Sequence, residues 1–216
     1  MAYLALFLMT MAYFAVVLLM SLYLQAASDM PPYQAGFHVL YVAAAMAAVA
    51  PVAGRLLGRV SARALSSTGL VLTATGLFAL SALITPAMNG AALAACLLAV
   101  GAGVGLFTTP NTSAIMGSVP PHRRGIANGV RQTAQNAGYA LSTALALAIV
   151  TSGLRGRSKQ AAYAGSLSGL TPQTMDALTT GYRWALLTLA ITCVLAVIAS
   201  LSRGPDTTSC RSAPAI

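Results

Sequence analysis

The 216-residue chain contains no glutamate, and its only aspartates are Asp29, Asp176 and Asp206. Charged residues make up 7% of it, whereas an ordinary soluble domain carries about 25%. So few charges cannot clothe a water-exposed surface, which excludes a large soluble globule and leaves an integral membrane chain. Three cysteines, Cys96, Cys193 and Cys210, give neither a disulfide frame nor a metal-ligand spacing. Cys96 and Cys193 fall inside apolar runs and read as small core hydrophobes. There is no HExxH, no G-x-S-x-G and no carboxylate pair, and the two histidines are far apart. A membrane enzyme therefore lacks its parts, and nothing calls for a metal or a cofactor.

What is present is 57% hydrophobic residues and a formal charge of +9. A nucleic-acid surface would cluster its basic residues with interleaved aromatics. Here they stand between oily runs, the pattern that orients a chain in a lipid bilayer. A helix crossing lipid needs roughly 20 residues. Six runs qualify, at about 3–25, 34–57, 66–86, 91–117, 125–151 and 181–202, with 203–216 as a polar tail. They are continuous and Ala/Leu-rich, without the alternation of a barrel. The expected fold is an all-α polytopic membrane bundle of six helices. No charge precedes the first run, the first in the chain being Asp29, which points to a further segment upstream.

Arg55, Arg59 and Arg63 follow the second run, His122, Arg123 and Arg124 follow the fourth, and Arg203 and Arg211 lie in the tail. With six spans these share one side, expected to be cytoplasmic, with both termini there and the chain in the plasma membrane. Arg155, Arg157 and Lys159, in the long loop 152–180, weaken that bias without reversing it. Thr171-Pro172 reads as a helix start for a short helix over about 172–180.

The fifth run, RQTAQNAGYALSTALALAIV from Arg131 to Val150, mixes amides with oil. At 100° per residue Asn128, Arg131, Gln132, Gln135, Asn136, Tyr139, Ser142 and Thr143 fall within an arc of roughly 140°. Such a stripe faces protein or a watery cavity, because an unpaired amide in hydrocarbon costs several kcal/mol. Two readings stand: hydrogen bonds between helices, or the lining of a transport path. Arg131, under two turns from Arg124, is expected to snorkel to the surface or pair with a loop. Tyr13, His38 and Tyr41 are further polar-capable groups within spans. The candidate substrate-binding set is Gln132, Gln135, Asn136, Tyr139, Tyr13 and His38. In GAGVGLFTTPNT, residues 101–112, three glycines precede Pro110. No strand precedes them, so close helix packing and a kink are expected, not a dinucleotide loop. Gly54/Gly58 and Gly125/Gly129 repeat the small-xxx-small spacing and are expected to pack likewise. Pro51 is a second candidate kink.

LYLQ at 22–25, QAGF at 34–37, PVAGRLLGRV at 51–60, GAGVGLFTTP and RRGIANGVRQTAQNAG at 123–138 occur in the order seen in the major facilitator superfamily. The chain resembles the C-terminal six spans of the fourteen-span drug:proton antiporter branch. GRLLGRVSAR resembles the superfamily's cytoplasmic G-x-x-x-D-R-x-G-R signature at Gly54, Arg59 and Arg63, with Gly58 in the aspartate position and Ser61 in the second glycine position. Without the aspartate, this copy is expected to serve as a tight turn with basic anchors.

The resemblance implies one bundle of a two-bundle transporter, built from inverted three-span repeats, with substrate held between bundles. Spans one, two, four and five would contribute to the cavity, and three and six would face outward. Its partners would be the lipid bilayer, a small, possibly amphiphilic substrate, and a missing six- to eight-span N-terminal bundle or a second copy of itself. The alternative is a truncated or non-transporting assembly subunit.

Overall fold

The computed structural model describes residues 2–27, 30–85, 88–152 and 172–202. They form six long helices: α1 (Ala2–Ala27), α2 (Pro32–Leu56), α3 (Ala62–Leu83), α4 (Gly90–Gly117), α5 (Arg124–Ser152) and α6 (Pro172–Leu201). A single 3₁₀ turn, Pro121–Arg123, leads into α5. All but α5 are long and apolar enough to cross a membrane. At 29 residues α5 has the length, and its polar stripe takes away the apolarity. This is an all-α polytopic membrane bundle.

Hydrogen bonds and close contacts fix the helix directions. Tyr3 donates to the Ala127 carbonyl and Ser142 to the Met11 carbonyl, so α1 and α5 run parallel. Gly101 meets Val42, and Gly105 meets Met46, so α2 and α4 run parallel. Gly103 meets Gly69 and Thr73 while Gly76 meets Val100, so α3 and α4 are antiparallel. Ser67 bonds Ser200 at 3.1 Å and Arg183 bonds the Ile84 carbonyl, which sets α6 antiparallel to α3. The six helices therefore alternate in direction, and α1 begins at the end of the bundle where α6 finishes. Arg55, Arg59, Arg63, Arg123 and Arg124 all lie at that same end.

Most of the packing repeats under the exchange of α1 with α4, α2 with α5 and α3 with α6, the exception being α5 on α6, which α2 and α3 do not match. As α1 packs on α5, so α4 packs on α2; as α3 packs on α4, so α6 packs on α1; and α3 and α6 pack on each other. That is the pattern an inverted three-helix repeat leaves. Arginines brace the α3–α6 pair at both ends. Arg63 donates to the carbonyl of Leu201, the last residue of α6. The Arg183 guanidinium donates to the carbonyl of Ile84, which caps α3, from Nε at 3.3 Å and from its terminal nitrogen at 3.2 Å. A helix's last carbonyls lack intrahelical donors and carry its negative dipole end, so a guanidinium there answers both needs.

Three glycines in the middle of α4 serve two neighbours. Gly101 and Gly105 bring α2 backbone to backbone, while Gly103, on the other side, brings α3. In lipid, where apolar contact alone drives no association, such close approach supplies the van der Waals contact that holds helices together. The same spacing elsewhere does not pack. A Cβ at Gly125 or Gly129 would meet nothing within 4 Å, and one at Gly54 would reach only the Thr109 methyl at 3.9 Å. Those glycines lie on exposed faces, so spacing alone did not give them a partner. Both α2 and α4 run as single helices through Pro51 and Pro110. Cys96 and Cys193 are buried in α4 and α6, as small hydrophobes would be.

The sixth helix differs from the sequence reading. The short helix expected over about 172–180 is the opening of α6, continuous with the sixth span, and Pro172 is its first residue. This brings Asp176 into the sixth helix, exposed and near the end opposite the arginines. Residues 153–171, with Arg155, Arg157 and Lys159, as well as Asp29 and residues 203–216, lie outside the described residues. The signature copy folds as expected: Leu57–Val60 form a turn in which the amides of Arg59 and Val60 donate to the Leu56 carbonyl. Ser61, in the signature's glycine position, is the N-cap of α3, its Oγ accepting from the Ala64 amide at 3.2 Å. Ser61→Ala is expected to cost about 1 kcal/mol, read as a fall of roughly 2–4 °C in the melting temperature of the detergent-solubilised chain.

Candidate functional site

The stripe on α5 resolves into two rows, each stepping by four residues. Arg131, Gln135, Tyr139 and Thr143 are half-buried, whereas Asn128, Gln132 and Asn136 are exposed. What half-buries the first row is α1, which packs alongside. Gly138 admits Thr10 and the Phe7 carbonyl, and buried Ser142 bonds the Met11 carbonyl. Phe14 of α1 lies over Tyr139 with ring centroids 4.5 Å apart and planes inclined by 33°. The next residue back, Tyr13, is within electrostatic reach of Tyr139. The seam between α1 and α5 thus has an aromatic floor beside an amide ladder.

Arg131 is the hub of the ladder. It donates to Asn128 Oδ1 at 3.0 Å, to Gln135 Oε1 at 2.6 Å and to Gln132 Oε1 at 3.4 Å. Gln132 in turn donates to Asn136 Oδ1 at 3.4 Å. The guanidinium is therefore held by its own helix, with one partner on the side away from the arginine-rich end. This differs from the loop pairing expected: among the described residues its acceptors are amides of its own helix, the i+4 glutamine the nearest of them. Among the described residues these amide bonds all stay within α5. Of the stripe, only Ser142 bonds another helix, so hydrogen bonding between helices accounts for one residue of it.

Four of the six sequence candidates, Gln132, Gln135, Asn136 and Tyr139, share this face, and Tyr13 joins them from α1. His38 does not. It sits about two turns into α2, which starts at the end opposite the arginines, with Nδ1 3.0 Å from the Gln34 carbonyl and its ring edge-on to Tyr41 at 6.0 Å. Around it Tyr33, Phe37 and Tyr41 are exposed on the same helix. Sequence reasoning missed Phe14, which carried no polar signal in an oily run, although its stacking on Tyr139 builds the floor. It also missed Arg183, a lone cation just inside the sixth apolar run, readable as an anchor at a helix end.

The outward sides of α2 and α5 carry the fewest contacts. In α2 only Ala35, Val42, Ala45 and Ala53 are buried out of 25 residues. On α5 Ile126, Val130 and Leu141 stand exposed.

Comparison with known proteins accounts for these features. The family model of the Major Facilitator Superfamily matches residues 2–214. The Riboflavin transporter RibZ of Clostridioides difficile is 32% identical over 135 residues, covering 60% of this chain and 28% of that protein. The Multidrug resistance protein Stp of Mycobacterium tuberculosis is 31% identical over 134 residues, 62% of this chain and 25% of its own length. The Tetracenomycin C resistance and export protein of Streptomyces glaucescens is 28% identical over 139 residues, 64% of this chain and 26% of its own. The chain's match thus spans about a quarter of each relative. With a family match over nearly its whole length and a bundle of inverted three-helix repeats, the chain belongs to the Major Facilitator Superfamily, a family of transporters and not of enzymes.

Proposed function

We propose that this chain is the C-terminal bundle of an exporter of small organic, amphiphilic molecules, working by alternating access in the plasma membrane. Its arginine-rich end and both termini face the cytoplasm, following the excess of basic residues there. The observation that carries the reading is the α1–α5 seam: amides and a guanidinium on α5 beside three aromatic rings of α1 and α5, with Asn128, Gln132 and Asn136 left exposed by the described residues. Polar groups at membrane depth persist where they line a cavity or meet another protein. The relatives named for multidrug resistance and for tetracenomycin C export make efflux the favoured direction, while the one named for riboflavin makes the class of cargo broader than drugs. The outward sides of α2 and α5 are where a second bundle, or a second copy of this one, would close the cavity.

The experiment is efflux of a panel of neutral, anionic and cationic fluorescent amphiphiles. The host is a pump-deficient bacterium expressing the chain with an N-terminal bundle supplied from the same genome. Tyr139→Ala and Gln135→Ala are each expected to slow efflux of an exported dye by about 3- to 10-fold, the equivalent of roughly 0.6–1.4 kcal/mol, at unchanged membrane abundance. Normal export by both variants would remove the seam from the transport path. Export of no dye at all by the paired wild type would remove the transport reading.

A further inference from the structure

The hydrogen-bond geometry of the ladder decides what kind of molecule the seam receives. A guanidinium has five donors and no acceptor, so every amide that bonds it must do so through its oxygen. Asn128, Gln132 and Gln135 therefore turn their carbonyls toward Arg131. Gln132 then gives its NH2 to Asn136 Oδ1, so Asn136 too has its carbonyl engaged. What remains unengaged among the described residues is the opposite pole of each amide: the NH2 groups of Asn128, Gln135 and Asn136. The ladder is a sheet of N–H donors around one positive charge, and no carboxylate of the described residues lies on α5 or α1 to neutralise it. One to two turns further along stand Tyr139 and Phe14. By helix rise, Arg131 and Tyr139 are about 12 Å apart along the axis and Gln135 is midway.

We propose, building on the transport reading above, that this seam binds aromatic organic anions and selects against aromatic ammonium ions of the same size. The carboxylate or enolate oxygen accepts from Arg131 and the amide N–H groups, and the ring lies against Tyr139 and Phe14. A cation would face the guanidinium charge, and the amide oxygens that could receive it are already turned toward donors of the ladder. An anion finds charge-assisted donors in a setting poor in competing water.

The test is equilibrium binding to the 216-residue chain in phosphatidylcholine nanodiscs, comparing 1-naphthoate with 1-naphthylmethylammonium by isothermal titration calorimetry. Naphthoate is expected to bind at least about tenfold more tightly than the ammonium. Arg131→Gln should remove that preference, Arg131→Lys should restore part of it, and Phe14→Ala should weaken both ligands alike. Among the described residues the Arg131 side chain bonds only its own helix, so the two Arg131 variants are expected to keep the wild-type melting temperature. Equal binding of the two naphthalenes, or a preference unchanged in Arg131→Gln, would overturn the proposal. In discs containing phosphatidylglycerol, naphthoate affinity should fall less than about threefold. Full displacement by that lipid would show a headgroup site instead and would also overturn it. The transport reading fails separately: tight, Arg131-dependent naphthoate binding without efflux by the paired bundles would sink transport and leave the site standing. Export that depends on Gln135 but carries only cations would do the reverse.

Discussion

Gly103→Val is expected to abolish accumulation of the folded bundle, or to leave a protein at least about 3 kcal/mol less stable, whereas Gly129→Val should behave as wild type. A Cβ at Gly103 would fall 2.7 Å from the Thr73 backbone nitrogen, against the Gly69 carbonyl, and onto the Thr73 hydroxyl. Two of those three are atoms of the α3 backbone, and the hydroxyl is itself held by a 3.0 Å bond to the Gly69 carbonyl. Relief therefore requires moving α3 away from α4, and with it the contacts of Gly69 on Phe107 and of Gly76 on Val100. Overpacking commonly costs about 1–3 kcal/mol where side chains can adjust. Here the obstacle is main chain, which puts the cost at the top of that range or beyond. At Gly129 a Cβ meets nothing within 4 Å, so valine there meets no obstacle and gains a little helix propensity over glycine. Fluorescence-detected size exclusion after a temperature series distinguishes the two. A monodisperse, heat-resistant Gly103→Val protein would mean that α3 and α4 do not cross as closely as described.

These two glycines also mark how far the sequence could be read. Both belong to small-residue patterns in oily or mixed runs, and both were expected to pack. Spacing identifies the face a residue occupies, but the neighbour on that face is set by the topology of the whole bundle. Gly103 points at α3, while Gly129 points to the side that the chain leaves open. The number, class and approximate limits of the helices were legible because apolar runs of 20 residues leave few alternatives. The helix start at Pro172 was legible too, but its continuity with the sixth span was not, since PQTMDALTTGY is too polar to read as span. The polar row on α5 was legible by periodicity. Its internal wiring was not: whether Arg131 reaches the surface or bonds amides of its own helix depends on rotamers that residue order does not encode. Ser61 shows the converse case. Against the family signature it reads as a departure at a glycine position, and in the structure it caps a helix.

The second large effect concerns energy coupling. The chain reconstituted by itself, with a pH gradient imposed across the liposome, is expected to take up less than about a tenth of the substrate taken up when an N-terminal bundle is co-reconstituted. Proton-driven antiport needs a group at membrane depth that exchanges its proton as the cavity changes sides. The sequence has no glutamate, and the described acidic residue, Asp176, is exposed near the start of α6, at the end of the bundle away from Arg55, Arg59 and Arg63. His38 lies on α2, hydrogen-bonded to a carbonyl of its own helix, far along the bundle axis from the Arg131 ladder. On this reasoning His38→Gln should leave coupled transport by the paired bundles within about twofold of wild type. Alternating access makes a second demand, since it comes from one bundle rocking against another around a shared site. A single bundle with α2 and α5 uncovered presents half of that site to lipid. Gradient-driven uptake by the chain alone can therefore arise only if two copies meet across those faces and some group other than a carboxylate carries the proton. If such uptake were seen and abolished in His38→Gln, the coupling assignment would move to α2 and the need for a different partner bundle would fall.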